Sequence, residues 1–233
     1  MAQGAFGAIY EGNTNLQEPK AVAIKQMSLP DSIYGRCVLH DIFNEITCLE
    51  AFRLDQCITD LYDYGLTKSD YRIVMKKYPI SLKQWRLKQK KESFVENLPT
   101  YLTIYKEVLK TVQLLHQNNV IHYDIKADNI LLDFKDQQDL QGEIKVIIGD
   151  FGVCKMFKSE QDEHSLQTKG TECIQSPEML TLAINSKKEG DKYDRRKKVG
   201  TTRSSDVWSL GCLLYEILTG EFLYYNNQIQ TMY

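Results

Sequence analysis

The residues Val-Ile-His-Tyr-Asp-Ile-Lys-Ala-Asp-Asn at positions 120–129 form the stretch that decides the fold of this chain. The aspartate at position 124 is followed by a lysine two residues later and by an asparagine five residues later. The stretch lies between a helical pattern of apolar residues and the apolar run Ile-Leu-Leu at 130–132. Three polar groups of different chemistry on a short connection between apolar elements indicate a catalytic loop.

The octet at 122–129 resembles the catalytic loop of eukaryotic protein kinases. The resemblance implies that Asp124 accepts the proton of the substrate hydroxyl and that Asn129 holds a magnesium ion. It also implies that Lys126 neutralises charge on the transferred phosphoryl group. A lysine at this position points to serine and threonine substrates rather than tyrosine.

Four further motifs, one before this octet and three after it, stand in the order in which protein kinases carry them. Residues 21–25 (Ala-Val-Ala-Ile-Lys) resemble the third strand with its phosphate-pairing lysine, and residues 150–152 (Asp-Phe-Gly) resemble the magnesium-binding triplet. Residues 176–178 (Ser-Pro-Glu) stand where the family has Ala-Pro-Glu, and residues 206–211 resemble the start of its central buried helix. The resemblance therefore spans essentially the whole chain.

The composition is that of a folded protein without a bulk electrostatic partner. Of 233 residues, 42% are hydrophobic and 26% are charged, proportions typical of a soluble globular protein. A formal net charge of -2 gives no general attraction to nucleic acid or to anionic membranes. The six cysteines include no C-x-x-C pair, and the chain has neither a signal peptide nor a long apolar run. We expect a reduced intracellular protein, most simply cytoplasmic with a nuclear location as the alternative, without a membrane segment or a nucleic-acid partner.

The resemblance implies an α+β, two-lobed protein-kinase-like fold for residues 1–233. The small N-lobe, residues 1–75, is expected to be mostly β with one helix, and residues 76–79 are expected to form the hinge. The larger, mostly α C-lobe, residues 80–233, is expected to lack its last helices because the chain ends at Tyr233.

Apolar periodicity predicts the elements that carry these motifs. Strands are expected at 72–75, 130–132 and 144–148. Helices are expected at 41–52 and at 99–116, and the second of these delivers the catalytic loop. Residues 206–218 are apolar nearly all round, which predicts a buried helix, and Gly220 just past its end is a helix stop.

Residues 3–9 match most of the kinase glycine-rich loop, whose backbone amides close over the ATP phosphates. Gly4 and Gly7 have no side chains, which would allow the backbone amides to approach the phosphates closely. Ala2 occupies the position of the family's first glycine. A lone pair of glycines is better explained as an ordinary hairpin turn, and only Lys25 at the expected distance favours nucleotide binding.

The resemblance also implies an adenine pocket lined by apolar side chains. Ile9 and Ala23 are expected to form the floor of the pocket, and Leu131 is expected to close it from below. Met75 is expected to lie at the back of the pocket, in the gatekeeper position. Plain core packing explains Met75 as well, and the two interpretations are compatible. ATP and Mg2+ are therefore the expected cofactors, with Asp150 as the second magnesium ligand.

A glutamate in the helix predicted at 41–52 is expected to hold the phosphate-binding lysine. Glu45 lies near the buried face of that helix, and a carboxylate there needs a partner. In the resemblance this glutamate pairs with Lys25 and fixes it against the phosphates. Glu50 is the less favoured alternative because it lies off the apolar stripe, and the companion motifs disfavour a solvated helix charge as the explanation of Glu45.

The polar stretch from Asp150 to Glu178 corresponds to the activation segment. Within it, the sequence Gly-Thr at 170–171 matches the family's threonine that faces the catalytic aspartate and lysine. Thr171 is therefore expected to contact Asp124 and Lys126.

The same segment carries candidate phosphosites at Ser159, Ser165 and Thr168, although unmodified surface hydroxyls are the commoner case. Tyr123 replaces the arginine that normally reads a phosphorylated activation loop. This replacement predicts a weaker dependence on phosphorylation than in relatives that carry the arginine.

A charged tract at 182–205 replaces a short connection of the family. Between positions 187 and 198, seven lysines and arginines oppose three acidic residues, a surplus of four positive charges. The tract would suit an acidic partner or serve as a nuclear address. A solvated loop without a partner is the simpler explanation, and we favour it.

The expected activity is ATP-dependent transfer of the γ-phosphoryl group to serine or threonine of protein substrates. The alternative is a pseudokinase that acts as a nucleotide-binding scaffold or regulatory interaction module. Ala2 and Tyr123 support this alternative, whereas the intact lysine, catalytic aspartate and metal ligands oppose it. A small-molecule kinase is disfavoured by Thr171 and residues 176–178, which shape a peptide-binding surface.

Overall fold

The computed structural model of the chain describes residues 2–4, 7–15, 17–28, 34–90, 94–135, 143–159, 170–182 and 201–224. The basic tract at 187–198 and the candidate phosphosites Ser165 and Thr168 lie outside the described residues. The chain divides into two compact units. The first contains residues 1–79 and 131–152, and the second contains residues 80–130 and 153–233.

The helices and strands alternate unevenly along the chain, with strands concentrated at its start and helices towards its end. In chain order they are β1 (Ala2–Gly4), β2 (Gly7–Asn13), β3 (Ala21–Ser28), α1 (Tyr34–Ala51), β4 (Leu61–Leu66), β5 (Asp70–Lys76), β6 (Ile80–Ser81), α2 (Leu82–Lys88), α3 (Phe94–Gln117), β7 (Val120–Ile121), β8 (Ile130–Phe134), β9 (Ile144–Ile148), β10 (Lys155–Met156), α4 (177–182) and α5 (Ser204–Thr219).

The first unit is built on an antiparallel sheet with the strand order β1-β2-β3-β5-β4. The helix α1 contributes the predicted apolar stripe, because Ile42, Ile46 and Leu49 are all buried. Their spacing of three and four residues places them on one helical face. Glu45 is buried as well, which puts a carboxylate inside this unit.

The second unit has α3 and α5 at its core. α3 buries Ile104, Val108 and Val112 at helical spacing, and it begins at Phe94, before the predicted start. The Tyr105 hydroxyl, also on α3, donates to a carbonyl oxygen of α5 at 3.1 Å.

The end of α5 is where the sequence predicts it. Gly220 follows the helix with a left-handed φ of 81°. Arg86 of α2 donates from its guanidinium to the carbonyl oxygens of Ile217 and Leu218 at 2.6 and 3.1 Å, which satisfies two carbonyls of the last turn.

The division into units differs from the predicted lobe boundaries at one segment. The prediction assigns 131–152 to the larger lobe, whereas these residues group with the first unit. Ile148 of β9 explains the difference, because its amide donates to the Cys57 carbonyl at 2.9 Å and its carbonyl accepts from the Thr59 amide at 3.0 Å. These main-chain hydrogen bonds do not depend on residue type, so the pattern of apolar residues does not predict them.

The predicted α+β, two-lobed fold class is confirmed. The first unit is mostly β with the helix α1, and the helices α2 to α5 belong to the second unit. Among the residues that the structure describes, no helix is long and apolar enough to cross a membrane.

Candidate active site

One face of the five-stranded sheet carries side chains that the sequence assigns to a nucleotide pocket. The register pairs Ile9 of β2 with Lys25 of β3, and Ala23 of β3 with Met75 of β5. Directly paired residues share a face of a sheet, as do residues two apart on one strand. The four side chains therefore lie on one face, with Met75 buried and Ile9 41% exposed. Leu131 belongs to the same unit, on β8, and is half-buried.

The glycines of the predicted phosphate loop lie at the turn between β1 and β2. Gly4 and Gly7 are paired at the end of the ladder of these two strands. Gly7 has a φ of 138°, and a Cβ atom there would lie 2.2 Å from the carbonyl oxygen of Gln26. Only glycine fits this position, because any side chain would collide with the backbone of β3.

Lys25 is the centre of a charged cluster in the first unit. Its ammonium group donates to both carboxylate oxygens of Glu45 at 2.9 Å and to Oδ1 of Asp150 at 2.7 Å. Lys25 and Glu45 are 5% and 1% exposed. The alternative partner, Glu50, contacts Arg53 instead.

Burial and the neighbouring charges shift the pKa values of Lys25 and Glu45 in opposite directions. Burial alone lowers the pKa of Lys25, but the carboxylates of Glu45 and Asp150 outweigh it and raise that pKa above its ordinary value of 10.5. Burial raises the pKa of the Glu45 carboxyl, and the neighbouring Lys25 opposes this shift. Lys25 is therefore a firmly held ammonium, whereas Glu45 depends on Lys25 to remain ionised.

Asp150 is the accessible member of the cluster, because its side chain is 38% exposed. Its φ of 57° lies in the left-handed region, a strained conformation for a residue other than glycine. Gly152 leaves room beside it, since a Cβ atom at that position would lie 2.9 Å from Nζ of Lys25. The backbone is thus bent so that the Asp150 carboxylate reaches Lys25.

The cluster suits a hard divalent cation. Two carboxylates face one ammonium, so the cluster carries one excess negative charge, and Asp150 presents it at the surface. The described residues contain no group of three or more His, Cys, Asp or Glu side chains arranged around a metal position. Magnesium commonly uses only one or two protein carboxylates and completes its shell with phosphate oxygens and water. Asp150 fits that role.

Asp124 is held by three donors within the second unit. Its Oδ1 accepts from the Thr171 amide at 2.9 Å, and its Oδ2 accepts from Lys126 at 2.8 Å and from the Asn129 side chain at 2.9 Å. A carboxylate offers about four acceptor positions, and among the residues that the structure describes no donor occupies the second position on Oδ1. Asp124 is 3% exposed, and its carboxylate is therefore fixed before any substrate binds.

The neighbours of Asp124 are bonded to one another as well. Lys126 donates to the hydroxyl of Thr171 at 2.6 Å. The amide nitrogen of Asn129 donates a second bond to the Asp124 carbonyl at 2.9 Å. Since that nitrogen is committed to Asp124, the side-chain oxygen of Asn129 is the atom suited to a cation.

Asp206, at the start of α5, holds the catalytic loop by hydrogen bonds to its backbone. Its carboxylate accepts from the amides of His122 and Tyr123 at 2.9 and 2.8 Å and contacts Nε2 of His116 at 2.8 Å. Asp206 is fully buried. The sequence predicts Asp206 only as the start of a buried helix. A single carboxylate opening an apolar helix was the available signal, because a buried carboxylate requires donors.

Two lysines, the last residue of β5 and the residue after it, each have an acidic partner in the first unit. Nζ of Lys76 donates to Asp133 at 2.8 Å and lies 5.0 Å from the ring centroid of Tyr78. Lys77 donates to the carboxylate of Glu11. These pairs join the predicted hinge residues to β8 and to β2.

The polar residues predicted for the site therefore fall into two clusters. The charged cluster of the first unit contains Lys25, Glu45 and Asp150. The catalytic-loop cluster of the second unit contains Asp124, Lys126, Asn129 and Thr171.

Comparison with known proteins gives a family match over the whole chain. The protein kinase domain family matches residues 1–233. The chain is 44% identical to a probable serine/threonine-protein kinase of Dictyostelium discoideum, across 97% of this chain and 10% of that protein. It is 30% identical to the serine/threonine-protein kinase shk1/pak1 of Schizosaccharomyces pombe, across 100% of this chain and 30% of that protein. It is also 30% identical to the dual specificity protein kinase TTK of Mus musculus, across 94% of this chain and 24% of that protein. The chain thus spans less than a third of the length of each of these relatives.

Proposed function

The chain belongs to the protein kinase domain family, and on that premise we propose that it transfers the γ-phosphoryl group of ATP to serine or threonine hydroxyls of protein substrates. The observation that carries the proposal is the Asp124 carboxylate, which three donors fix while one acceptor position stays open on Oδ1. A hydroxyl bound at Oδ1 would be oriented for attack and would have an acceptor for its proton.

Lys126 and Thr171 support this step by holding charge and geometry in place. The Lys126 ammonium contacts both the Asp124 carboxylate and the Thr171 hydroxyl, so it lies beside the position where the substrate hydroxyl would bind. A preformed positive charge there stabilises negative charge that develops on the transferred group. Because the Thr171 amide also bonds Asp124, little reorganisation is needed during transfer.

We assign the nucleotide to residues of the first unit. Lys25, kept as an ammonium by Glu45 and Asp150, would donate to phosphate oxygens. The amides of the turn at Gly4 and Gly7 would face the same phosphates. The base would contact the apolar side chains on the sheet face and on β8, namely Ile9, Ala23, Met75 and Leu131.

Asp150 in the first unit and Asn129 in the second each offer an oxygen of the kind that a magnesium ion prefers, and we assign each as a magnesium ligand from its own surroundings. A bound Mg2+ would neutralise part of the charge on the ATP phosphates. The excess negative charge of the cluster around Lys25 supports this assignment on the side of Asp150. The commitment of the Asn129 nitrogen to Asp124 supports it for the oxygen of Asn129.

Serine and threonine are proposed as acceptors over tyrosine. The names of the Dictyostelium and Schizosaccharomyces relatives support this choice, whereas the name of the mouse relative includes dual specificity. The amino acid that accepts the phosphoryl group must therefore be determined by experiment.

The test is transfer of label from γ-labelled ATP to peptide mixtures that carry a single serine, threonine or tyrosine. We expect label on serine and threonine that disappears with EDTA and in Asp124→Asn. Asp70→Asn is the matched control, because that carboxylate pairs with Arg72 at 2.9 Å in the β4–β5 hairpin. Label no higher than in Asp124→Asn would leave a binding module as the function, and label on tyrosine alone would reverse the acceptor assignment.

A further inference from the structure

We propose that Tyr123 is a positioning residue for Asp124, acting through a buried latch formed by Tyr123, Met179 and Thr201. This proposal rests on the proposed transfer reaction, because Asp124 is the group whose position the latch controls. The latch consists of the buried apolar cluster to which Tyr123 and Met179 both belong and of the hydroxyl contacts between Tyr123 and Thr201. It would hold the catalytic loop in place by neutral contacts, without a phosphate group.

The ring of Tyr123 is part of an apolar cluster. Tyr123 is 3% exposed, although the sequence places it between two polar residues of the catalytic loop. It packs in one buried cluster with Ile121, Val153, Phe157 and Met179. Burying an aromatic ring of this size stabilises its surroundings, and these apolar neighbours would not satisfy a charged guanidinium.

The hydroxyl of Tyr123 is paired with Thr201. The Thr201 hydroxyl donates to the Tyr123 oxygen at 3.3 Å, and the Tyr123 hydroxyl lies 3.5 Å from the Thr201 carbonyl oxygen. Thr201 is fully buried and Tyr123 is 3% exposed, so both contacts lie away from bulk water. Both distances are at the long end of the hydrogen-bond range, and we therefore expect an effect of moderate size.

The two partners of Tyr123 come from the two sides of the charged tract in the sequence. Met179 lies on α4, before residues 183–200, and Thr201 follows them directly. Met179 shares a buried apolar cluster with Tyr123, the residue that precedes Asp124, and Thr201 contacts the hydroxyl of Tyr123. The latch thus joins two chain segments that the sequence separates by a long insertion.

The backbone transmits the position of Tyr123 to Asp124. Tyr123 has a left-handed φ of 65°, and its amide donates to Asp206 at 2.8 Å. Its carbonyl oxygen lies so close to Gly170 that a Cβ atom there would be 2.2 Å away. The next residue, Thr171, donates its amide to Asp124. A shift of Tyr123 would therefore displace residues 170–171 and weaken one of the three bonds to the Asp124 carboxylate.

Three substitutions in the full chain separate the latch from general stability. Tyr123→Phe and Thr201→Val remove one hydroxyl each with little change in shape, and Thr201→Ser keeps the hydroxyl. Thr111→Val is the matched control, because Thr111 is a buried threonine of the same unit whose hydroxyl bonds the Glu107 carbonyl at 3.0 Å. The measurements are kcat and KM for peptide transfer, hydrogen exchange of the Thr171 amide, and the thermal unfolding midpoint.

We expect Tyr123→Phe and Thr201→Val each to lower kcat by about 3- to 10-fold, the usual weight of one hydrogen bond, with KM for ATP within about twofold. The exchange rate of the Thr171 amide should rise by a similar factor, and the double variant should resemble the single variants. Thr201→Ser should restore kcat to within about twofold of the unmodified chain. Thr111→Val should lower the unfolding midpoint and leave kcat and Thr171 exchange unchanged.

Several outcomes would overturn the latch. Unchanged Thr171 exchange in Tyr123→Phe and Thr201→Val would do so, whether or not kcat falls. Losses of kcat that multiply in the double variant would show that the two hydroxyls act separately. If the unmodified chain transfers no phosphate, the proposed reaction is wrong, and Thr171 exchange alone then decides whether the latch holds the loop.

Discussion

The charged cluster of the first unit and the catalytic-loop cluster of the second are assembled in opposite ways. Lys25 is shared by two carboxylates that lie 20 and 125 residues away in the sequence. Lys126 donates to one carboxylate two residues away and to the neutral hydroxyl of Thr171. The first cluster has an excess of negative charge, whereas the Asp124–Lys126 pair has none. Ion pairs between distant residues hold the cluster around Lys25, whereas one local ion pair and hydrogen bonds to neutral groups hold the cluster around Asp124.

This contrast predicts that the two clusters respond differently to the loss of one member. Removing a member of the charged cluster leaves a buried charge without its partner, so stability and activity should fall together. Removing the charge of Asp124 leaves the Lys126 ammonium, whose side chain is 18% exposed and still contacts the Thr171 hydroxyl, so activity should fall much more than stability. The experiments below test this separation.

The largest expected effect is that of Asp124→Asn on turnover. We expect kcat to fall by about 10²- to 10⁴-fold, because the substrate hydroxyl loses its proton acceptor. The unfolding midpoint should change little, since an amide of the same shape still offers the Thr171 amide an acceptor oxygen. Transfer kinetics and a thermal melt check both parts. A large drop in the melting temperature would contradict the predicted separation of activity from stability.

The next effect is that of Lys25→Met on stability. We expect the free energy of unfolding to fall by about 3–5 kcal/mol and transfer to be lost, because the buried Glu45 carboxylate loses its counter-charge. The double variant Lys25→Met/Glu45→Gln should regain most of the stability and none of the activity. Urea unfolding gives the stability of both variants. Equal stability of the single and the double variant would show that Glu45 does not depend on Lys25.

A smaller effect is a dependence of stability on alkaline pH that belongs to the charged cluster. The pKa of Lys25 is raised above 10.5 in the folded protein, so above that pH the folded state keeps a proton that the unfolded chain releases. The contribution of Lys25 is complete below pH 10.5 and declines as the pH rises further, by at most about 1.4 kcal/mol per pH unit.

The double variant Lys25→Met/Glu45→Gln is the control for that measurement. Burial also raises the pKa of Tyr78, which gives a slope of the same sign in both proteins. Unfolding free energies between pH 10 and the onset of alkaline denaturation should therefore fall more steeply for the unmodified chain. Parallel slopes would mean that Lys25 does not carry the shifted proton.

The smallest expected effect concerns the catalytic-loop cluster and its candidate phosphosites. Replacing Ser159, Ser165 and Thr168 together by alanine should change kcat by less than about threefold, because the buried, uncharged Tyr123 offers a phosphate no binding partner. Thr171→Ala is the contrasting variant, since it removes the hydroxyl that accepts from Lys126. A tenfold loss in the triple variant would show that a phosphate does organise the loop.

Local patterns account for what the sequence predicted well. The helix at the end of the chain and its stop at Gly220 follow from apolar residues and one glycine, and both are present. The contact between Lys25 and Glu45 was predicted from the resemblance together with the helical stripe around Glu45. Each of these features depends on residues whose types and spacing are informative by themselves.

The contacts that the sequence did not predict join distant residues without a pattern of their own. Thr201 gives no sign in the sequence that it is buried against Tyr123, which lies 78 residues away. The grouping of 131–152 with the first unit depends on main-chain bonds of Ile148, which carry no residue-type signal. Such contacts arise from the folded path of the chain, and only three-dimensional structure reveals them.

The raised pKa of Lys25 has a consequence for covalent inhibitor chemistry. Reagents that acylate or sulfonylate lysine react with the neutral amine, and at neutral pH fewer than about one in a thousand Lys25 side chains is deprotonated. Two carboxylates also occupy the directions from which an electrophile would approach Nζ. The rate at which an electrophilic compound labels Lys25 should therefore depend on how often Lys25 separates from Glu45 and Asp150. Compounds that bind preferentially when Lys25 is separated from these carboxylates should label it fastest.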